Sequence, residues 1–341
     1  MTYIIRPATV VDLQPVYEMA KSTGGGFTNL PPNRAALTEK LLNAEASFAH
    51  DTQQRGDDFF FFILENIETR EVHGTCLIFS KIGQTWPFYS YRIGTLTQIS
   101  KELNRTFKAE TLTLSTDFDG ASEVGGLYLN PNNRAGGLGM LLARSRYLFI
   151  KMHRTRFADR TIAELRGVQD EAGGSPFWDG IAGRFFGMSF QEADAFNAVH
   201  GNQFIADLMP KHPIYTAMLP ESALSVMGVP HKSGRAALQM LQNEGFVYDH
   251  YVDIFDGGPT VSAPTDQIET IKRARADKVV QIGGVEEERA DKALVAHGHL
   301  IDYRCGYGYV RAQGDGVALD TTAAAALGVQ KGDTIMHVAR W

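Results

Sequence analysis

The sequence predicts a mixed α/β fold, with a largely antiparallel sheet flanked by helices and a small β-rich appendage after it. Three observations carry this. Apolar runs of strand length come in pairs separated by turn residues. One long amphipathic run follows a glycine-rich loop. Beyond residue 258 the chain turns rich in Gly, Ala and Val.

Tyr3–Arg6 reads as a short strand, and Leu13, Val16, Tyr17 and Ala20 then recur at helical spacing behind Thr9 as cap. Gly24-Gly25-Gly26 ends that helix, and a second one follows Pro31-Pro32 through Leu37, Leu41 and Leu42. Phe59–Glu65 and Val72–Ser80 form a predicted hairpin across the turn-like Asn66–Arg70. Thr111–Ser115 and Val124–Leu129 are further strands. From Gly139 to about Phe157 the spacing predicts a helix whose polar face carries Arg144, Arg146 and Lys151. Thr161–Leu165 is a strand, Phe177–Phe186 a helix, Ser233–Asn243 a helix closed by Gly245, and Phe246–Phe255 a strand.

Gly257-Gly258-Pro259 marks the expected boundary between a body at 1–258 and a tail at 259–341. A loose internal echo, helix then Gly-x-Phe-like turn, admits a division of the body into halves at 1–190 and 191–258.

Composition narrows the function. The chain has 341 residues, 44% hydrophobic, enough for a sizeable core. A net charge of −6 without a basic block disfavours nucleic acid as partner. No apolar stretch reaches the length of a membrane span. Cys76 and Cys305 stand apart in apolar runs, outside any metal-ligand spacing, which favours a reducing cytoplasm and no metal site.

The segment Arg134-Ala-Gly136-Gly137-Leu-Gly139 lies between a strand and the amphipathic helix. A helix N-terminus offers unpaired N–H groups and positive dipole to a diphosphate. Glycines allow close approach, and Arg134 can neutralise an oxygen. No Gly-Lys-Ser/Thr follows, so this is not a mononucleotide P-loop. A hairpin precedes it rather than a βαβ unit, so the dinucleotide fingerprint fails as well.

The pattern Arg-x-x-Gly-x-Gly after a strand resembles the coenzyme A loop of the GNAT acyltransferase superfamily. Longer stretches resemble the arginine N-succinyltransferase family: Thr23–Pro31 (TGGGFTNLP), Tyr91–Leu96 (YRIGTL), Leu165–Glu171 (LRGVQDE), Ser175–Trp178 (SPFW), Leu208–Tyr215 (LMPKHPIY) and Tyr251–Thr260 (YVDIFDGGPT). They cover roughly Ile4 to Thr260 in the family's order.

The resemblance implies a GNAT-like fold and transfer of a succinyl group from succinyl-CoA, as co-substrate rather than tightly bound cofactor, to the α-amino group of arginine. It places the coenzyme-binding leucine at Leu127 and the proton donor at His231, with Arg134, Gly136, Gly137 and Gly139 as the coenzyme loop. For the substrate charges, Asp117, Asp119 and Glu123 are candidates for the guanidinium, and Arg92 and Arg166 for the carboxylates. Where the family shows Ser-Asn-Asp-His-Thr-Gly-Ser, this chain has Ser115-Thr-Asp-Phe118-Asp119-Gly-Ala121, which puts the acceptor in question. The alternatives are an N-acyltransferase using ornithine, another amine or acetyl-CoA, and a weakly active or non-catalytic subunit of a paralogous hetero-oligomer. A homo-oligomer or a hetero-oligomer with a related subunit is expected.

Overall fold

The computed structural model describes residues 2–23, 29–134, 136–200, 203–285 and 290–340. The expected break at Gly24-Gly25-Gly26 lies outside them. In chain order the first elements are β1 (Tyr3–Pro7), α1 (Leu13–Ser22), α2 (Arg34–Ala49), β2 (Phe59–Asn66), β3 (Val72–Phe79), β4 (Ser90–Ser100), β5 (Arg105–Ser115) and β6 (Ser122–Leu129). Then come α3 (Leu138–Met152), β7 (Arg160–Glu164), α4 (Pro176–Gly180), α5 (Gly183–Phe186), α6 (Phe190–His200), α7 (Gln203–Leu208), β8 (Ile214–Tyr215), α8 (Glu221–Leu224), α9 (Arg235–Asn243), β9 (Val247–Asp253) and β10 (Pro259–Pro264). The last part holds α10 (Glu269–Arg273), β11 (Arg275–Ile282), β12 (Asp291–His297), β13 (Arg304–Gln313), β14 (Gly316–Leu319), α11 (Thr321–Leu327) and β15 (Thr334–Ala339).

The body is one sheet in the order β1-β2-β3-β6-β7-β10-β9-β4-β5-β8. Its second strand β2 is a run of Phe and Ile because both faces are covered; Phe60 to Leu64 are all buried. Phe48 of α2 and Phe149 of α3 pack edge-on against Phe62 and against each other, in one cluster of rings on the same face of the sheet.

The boundary expected at residue 259 is corrected by β10, which is hydrogen-bonded between β7 and β9 inside this sheet. Gly257 and Gly258 are the tight turn between two sheet strands, not a linker. A Cβ on Gly258 would lie 2.0 Å from the Leu165 carbonyl. The division into halves is likewise replaced, because β8, β9 and β10 extend the same sheet. The change of body comes at β11. From there β12, β15, β11, β14 and β13 follow one another, and β12 also pairs with β13, closing a small barrel that touches β1 through Ile5 and Cys305.

α3 departs from the amphipathic expectation. Leu141 through Ile150 are all buried, Arg144 and Arg146 included. The barrel and α10 cover the side that faces away from the sheet. Arg144 is satisfied there by Thr270 Oγ1 (2.8 Å), Glu244 (3.2 Å) and the Arg340 carbonyl. Arg146 donates to the Gly125 carbonyl at 3.2 Å.

β6 is irregular at the centre of the molecule. It pairs with β3 at Thr75↔Tyr128 and then at Leu77↔Gly125, so two residues, Gly126 and Leu127, face one on β3. Gly126 sits at φ 54°, and the Thr75 hydroxyl donates to its carbonyl at 2.9 Å. On the other edge β6 runs parallel to β7 only at Ser122↔Thr161 and Glu123↔Ile162, after which the strands separate.

A Cβ on Gly126 would fall 2.3 Å from Leu77 Cγ. Gly126→Ala should therefore cost about 1–3 kcal/mol in urea unfolding, by overpacking and by left-handed strain. A change within about 0.5 kcal/mol, the range of a neutral surface substitution, would show that the bulge tolerates a side chain.

Candidate active site

The gap between the parted strands is a cavity of about 570 Å³. One wall is β6 from Val124 to Leu129. The facing wall is Ala163 to Arg166 with the turn Asp253 to Asp256. α3 supplies Arg146 and Tyr147, α9 supplies Ala237, Met240 and Leu241, and α6 supplies Phe190 and Asp194.

His231 lines this space. Its loop is stitched to the chain leaving β7: the His231 N–H donates to the Arg166 carbonyl at 2.8 Å, and Pro230 bridges Gly167. The imidazole caps the short turn that leads into α9. Nδ1 accepts the Ser233 N–H at 3.2 Å and lies 2.7 Å from the Ser233 hydroxyl. A nitrogen that accepts from a backbone N–H carries no proton, which assigns the proton of the neutral ring to Nε2. Burial holds the ring's pKa below its ordinary value, and the charges of Arg166 and Lys232 act in the same direction.

Of the other expected site residues, Leu127, Arg134 and Arg166 also line the cavity. Leu127 has no cross-strand partner on either side, since β3 skips it and β7 has already diverged. Gly136, Gly137 and Gly139 lie beyond Arg134 at the head of α3, outside the cavity lining; Ala135 between them is outside the described residues. Gly136 (φ 68°) and Gly137 (φ 83°) are both left-handed, conformations that glycine adopts without steric cost.

The expected substrate carboxylates fall elsewhere. Asp117 accepts from the Tyr251 hydroxyl at 2.6 Å, and Asp119 accepts the Phe88 N–H at 2.7 Å; neither lines the cavity. Arg92 lies over the Tyr251 ring at 5.7 Å. Phe118, the departure from the family pattern, packs on Tyr251 with 2% exposure, also outside the cavity. Glu123 is buried at the root where β6 and β7 part, and burial drives its pKa up to about 7 against the pull of Lys40. Only Arg166 of these five reaches the space.

In their place stand four acids that sequence reasoning missed: Glu164, Asp194, Asp253 and Asp256. Asp253 accepts the N–H groups of Phe255 (2.7 Å) and Asp256 (2.8 Å), and Asp256 those of Gly167 (2.7 Å) and Gly258 (2.9 Å). Those two shape the turn. Glu164 has one weak contact, the Thr260 hydroxyl at 3.5 Å, and Asp194 has no hydrogen bond or ion pair among the described residues. Burial raises the pKa of both, with Asp253 adding repulsion. Arg166 reaches Gln169 Oε1 through Nη2, while its buried Nε has no partner among the described residues. Asp253 and Asp256 stand inside the Tyr251–Thr260 motif, where their pairing across a turn was the available signal. No group of residues that could hold a metal occurs among the described residues, and no helix there is long and apolar enough to cross a membrane.

The cavity between two parted parallel strands, with Arg134 from the loop before α3 in its lining, belongs to an α/β fold whose class is acyltransferase. The family follows from comparison. Residues 3–270 match the arginine N-succinyltransferase beta subunit model, and residues 276–339 match that of its C-terminal domain. The chain belongs to the arginine N-succinyltransferase beta subunit family. It is 43% identical over 278 residues to the arginine N-succinyltransferases of Salmonella schwarzengrund (strain CVM19633) and Salmonella agona (strain SL483), covering 82% of this chain and 80% of theirs. The arginine/ornithine succinyltransferase subunit AI from Pseudomonas aeruginosa superposes with a TM-score of 0.89 at 35% identity, over 100% of this chain and 99% of that one.

The neutral His231 ring is favoured by the fold, so it should titrate below the ordinary value of ~6.5. Below that pH the unfolded chain binds the extra proton first, and stability should fall as pH falls. NMR of labelled histidine, assigned with His231→Gln, checks the midpoint. Arg166→Gln should raise it; a midpoint at or above 6.5 in the unsubstituted protein contradicts the burial of the ring.

Proposed function

We propose that this enzyme transfers a succinyl group from succinyl-CoA to the α-amino group of arginine. The observation that supports it best is the charge layout of one cavity. Arg166 and the acids Glu164 and Asp194 line the same cavity as His231, in the gap beside the Gly126–Leu127 bulge. Arginine is a cation with an α-carboxylate, and the succinyl group is an anion; each finds an opposite charge here. The Pseudomonas neighbour is named for ornithine as well as arginine, so ornithine is the competing acceptor. The departure at Phe118 and Asp119 does not argue against arginine, because neither lines the cavity.

The amine lone pair attacks the thioester carbonyl carbon and a tetrahedral oxyanion forms. Backbone around Leu127, unpaired on both sides, supports that charge, an effect worth ~10²–10³ in rate for one donor. The carbon–sulfur bond then breaks, and in net terms the amine proton ends on the coenzyme thiol. His231 presents Nε2–H as a hydrogen-bond donor to the departing sulfur, while the amine proton passes to the thiolate through solvent. Leu127, Arg134, Gly136, Gly137 and Gly139 bind the coenzyme, with the diphosphate at the start of α3. The guanidinium meets Glu164 and Asp194. Its charge lowers their raised pKa values, so arginine binding strengthens as pH rises through their titration. Cys76 and Cys305, free and buried, suit a reducing cytoplasm. Assembly with a second copy or a related subunit remains compatible with this chemistry.

Mass spectrometry of products from succinyl-CoA and acetyl-CoA with arginine and ornithine tests the reading, with succinyl-arginine as the expected major product. His231→Ala should lower kcat by roughly 10²–10⁴ while coenzyme affinity holds within a few-fold. Thiol release with no donor, or an unchanged kcat in the variant, would overturn the assignments of activity and of His231 respectively.

A further inference from the structure

We infer that the C-terminal barrel is part of the coenzyme site, with Tyr307 and Arg340 as positioning residues that fix the peptide planes of the glycine loop. This rests on the reading that the loop at the head of α3 takes the diphosphate. The tail gave no chemical signal in the sequence, yet two of its side chains reach this loop.

Tyr307 lies on β13, opposite Leu294 of β12 in the barrel wall. Its hydroxyl donates to the Gly137 carbonyl at 2.9 Å, the same oxygen that accepts the Leu141 N–H at 3.0 Å as the first bond of α3. Both lone pairs of that oxygen are thereby used. Arg340 follows β15. Its Nη2 donates to the Gly136 carbonyl at 3.0 Å, and its guanidinium stacks 4.7 Å from the Tyr307 ring centre. Arg340 is itself held to the barrel, its N–H donating to the Lys292 carbonyl at 2.8 Å. Contact is close: a Cβ on Gly137 would lie 2.5 Å from Arg340 Nη2 and 3.4 Å from the Tyr307 hydroxyl.

Peptide planarity turns these two bonds into an orientation. In a trans peptide the carbonyl of one residue and the N–H of the next point in opposite directions. Tying the Gly136 and Gly137 carbonyls to the barrel therefore turns the N–H groups of Gly137 and Leu138 away from it. Those are first-turn donors, without a backbone acceptor among the described residues. Left-handed glycines alone would leave this segment many orientations; two side chains from another body select one, so less ordering remains for coenzyme binding. Burial pushes the Tyr307 hydroxyl up to about 12, so it donates throughout the physiological range.

The test uses the full chain with Tyr307→Phe, which keeps the ring under Arg340 and deletes the hydroxyl, and Arg340→Lys, which keeps the charge and loses the fork. Each should raise KM for succinyl-CoA, and Kd for coenzyme A by titration calorimetry, about three- to tenfold, the weight of one hydrogen bond. kcat should change less than twofold, KM for the amine should hold, and thermal melting should stay within about 2 °C on the scale where ~1 kcal/mol moves a domain of this size by a few degrees. Unchanged coenzyme affinity in both variants overturns the positioning role while the unsubstituted enzyme still turns over. Equal losses for both substrates with a lower melting temperature overturn it as well, in favour of a merely structural contact. If the unsubstituted chain binds neither coenzyme A nor its thioester, the reading of the loop fails and this inference with it.

Discussion

The molecule depends on a parallel pairing that stops early. β6 and β7 share two residue pairs and then part, although both strands continue. A sheet normally closes such a gap, because unpaired backbone groups away from water are costly. Here β6 cannot follow β7, since its register to β3 is shifted by the bulge at Gly126–Leu127. The bulge is clamped from two directions: Thr75 holds the Gly126 carbonyl and Arg146 holds the Gly125 carbonyl. The strand thus presents main-chain groups to a cavity instead of to a neighbour. A substrate that offers a carbonyl oxygen can complete the pairing that the sheet leaves unmade.

The second constraint is the burial of α3. A helix with Arg144 and Arg146 would ordinarily turn them to water, because burying an unpaired guanidinium is very expensive. Here each arginine is enclosed and supplied with acceptors: Glu244 from the end of α9, Thr270 from the segment leading to the barrel, the Arg340 carbonyl from the barrel itself, and Gly125 from β6. Removing the barrel would strip Arg144 of an acceptor and uncover one side of α3. The barrel and the body are therefore coupled through the helix that both of them bury. This accounts for the single family covering the chain from residue 3 to 270 and its companion domain from 276 to 339.

What the sequence revealed and what it hid divide along the same line. Periodicity found the Phe59–Glu65 and Val72–Ser80 hairpin and the second helix, because their apolar positions meet one sheet locally. It failed for α3, whose polar residues looked solvated until a distant segment covered them. The first half of β4 was read as a family motif rather than a strand, since beyond Arg92 its partner is β5 alone and its residues lie largely exposed. Proline 259 was taken as a boundary because Gly-Gly-Pro reads as a linker in one dimension; only the approach of Gly258 to the Leu165 carbonyl shows why glycine is needed inside the sheet. His231, Leu127, Arg134 and Arg166, expected from the resemblance, line one cavity. The acids were not legible, because Glu164, Asp194, Asp253 and Asp256 come from three separate segments and meet only in the fold.

Those acids also explain how one small space can serve two substrates of opposite charge. Four carboxyl groups near one another cannot all be ionised cheaply in a buried setting, and burial accordingly raises the pKa of each. Asp253 and Asp256 are nonetheless fed by backbone N–H groups of the turn, which stabilise their charge locally. A positive charge brought against Glu164 and Asp194 would remove repulsion as well as add attraction. Arg166, held next to the same acids, keeps its charge available to an anion on the facing side. A neutral amine would gain neither effect. The repulsion among these carboxyl groups is shared by three separate segments, the end of β7, α6 and the turn after β9, so it exists only once the fold has brought them together.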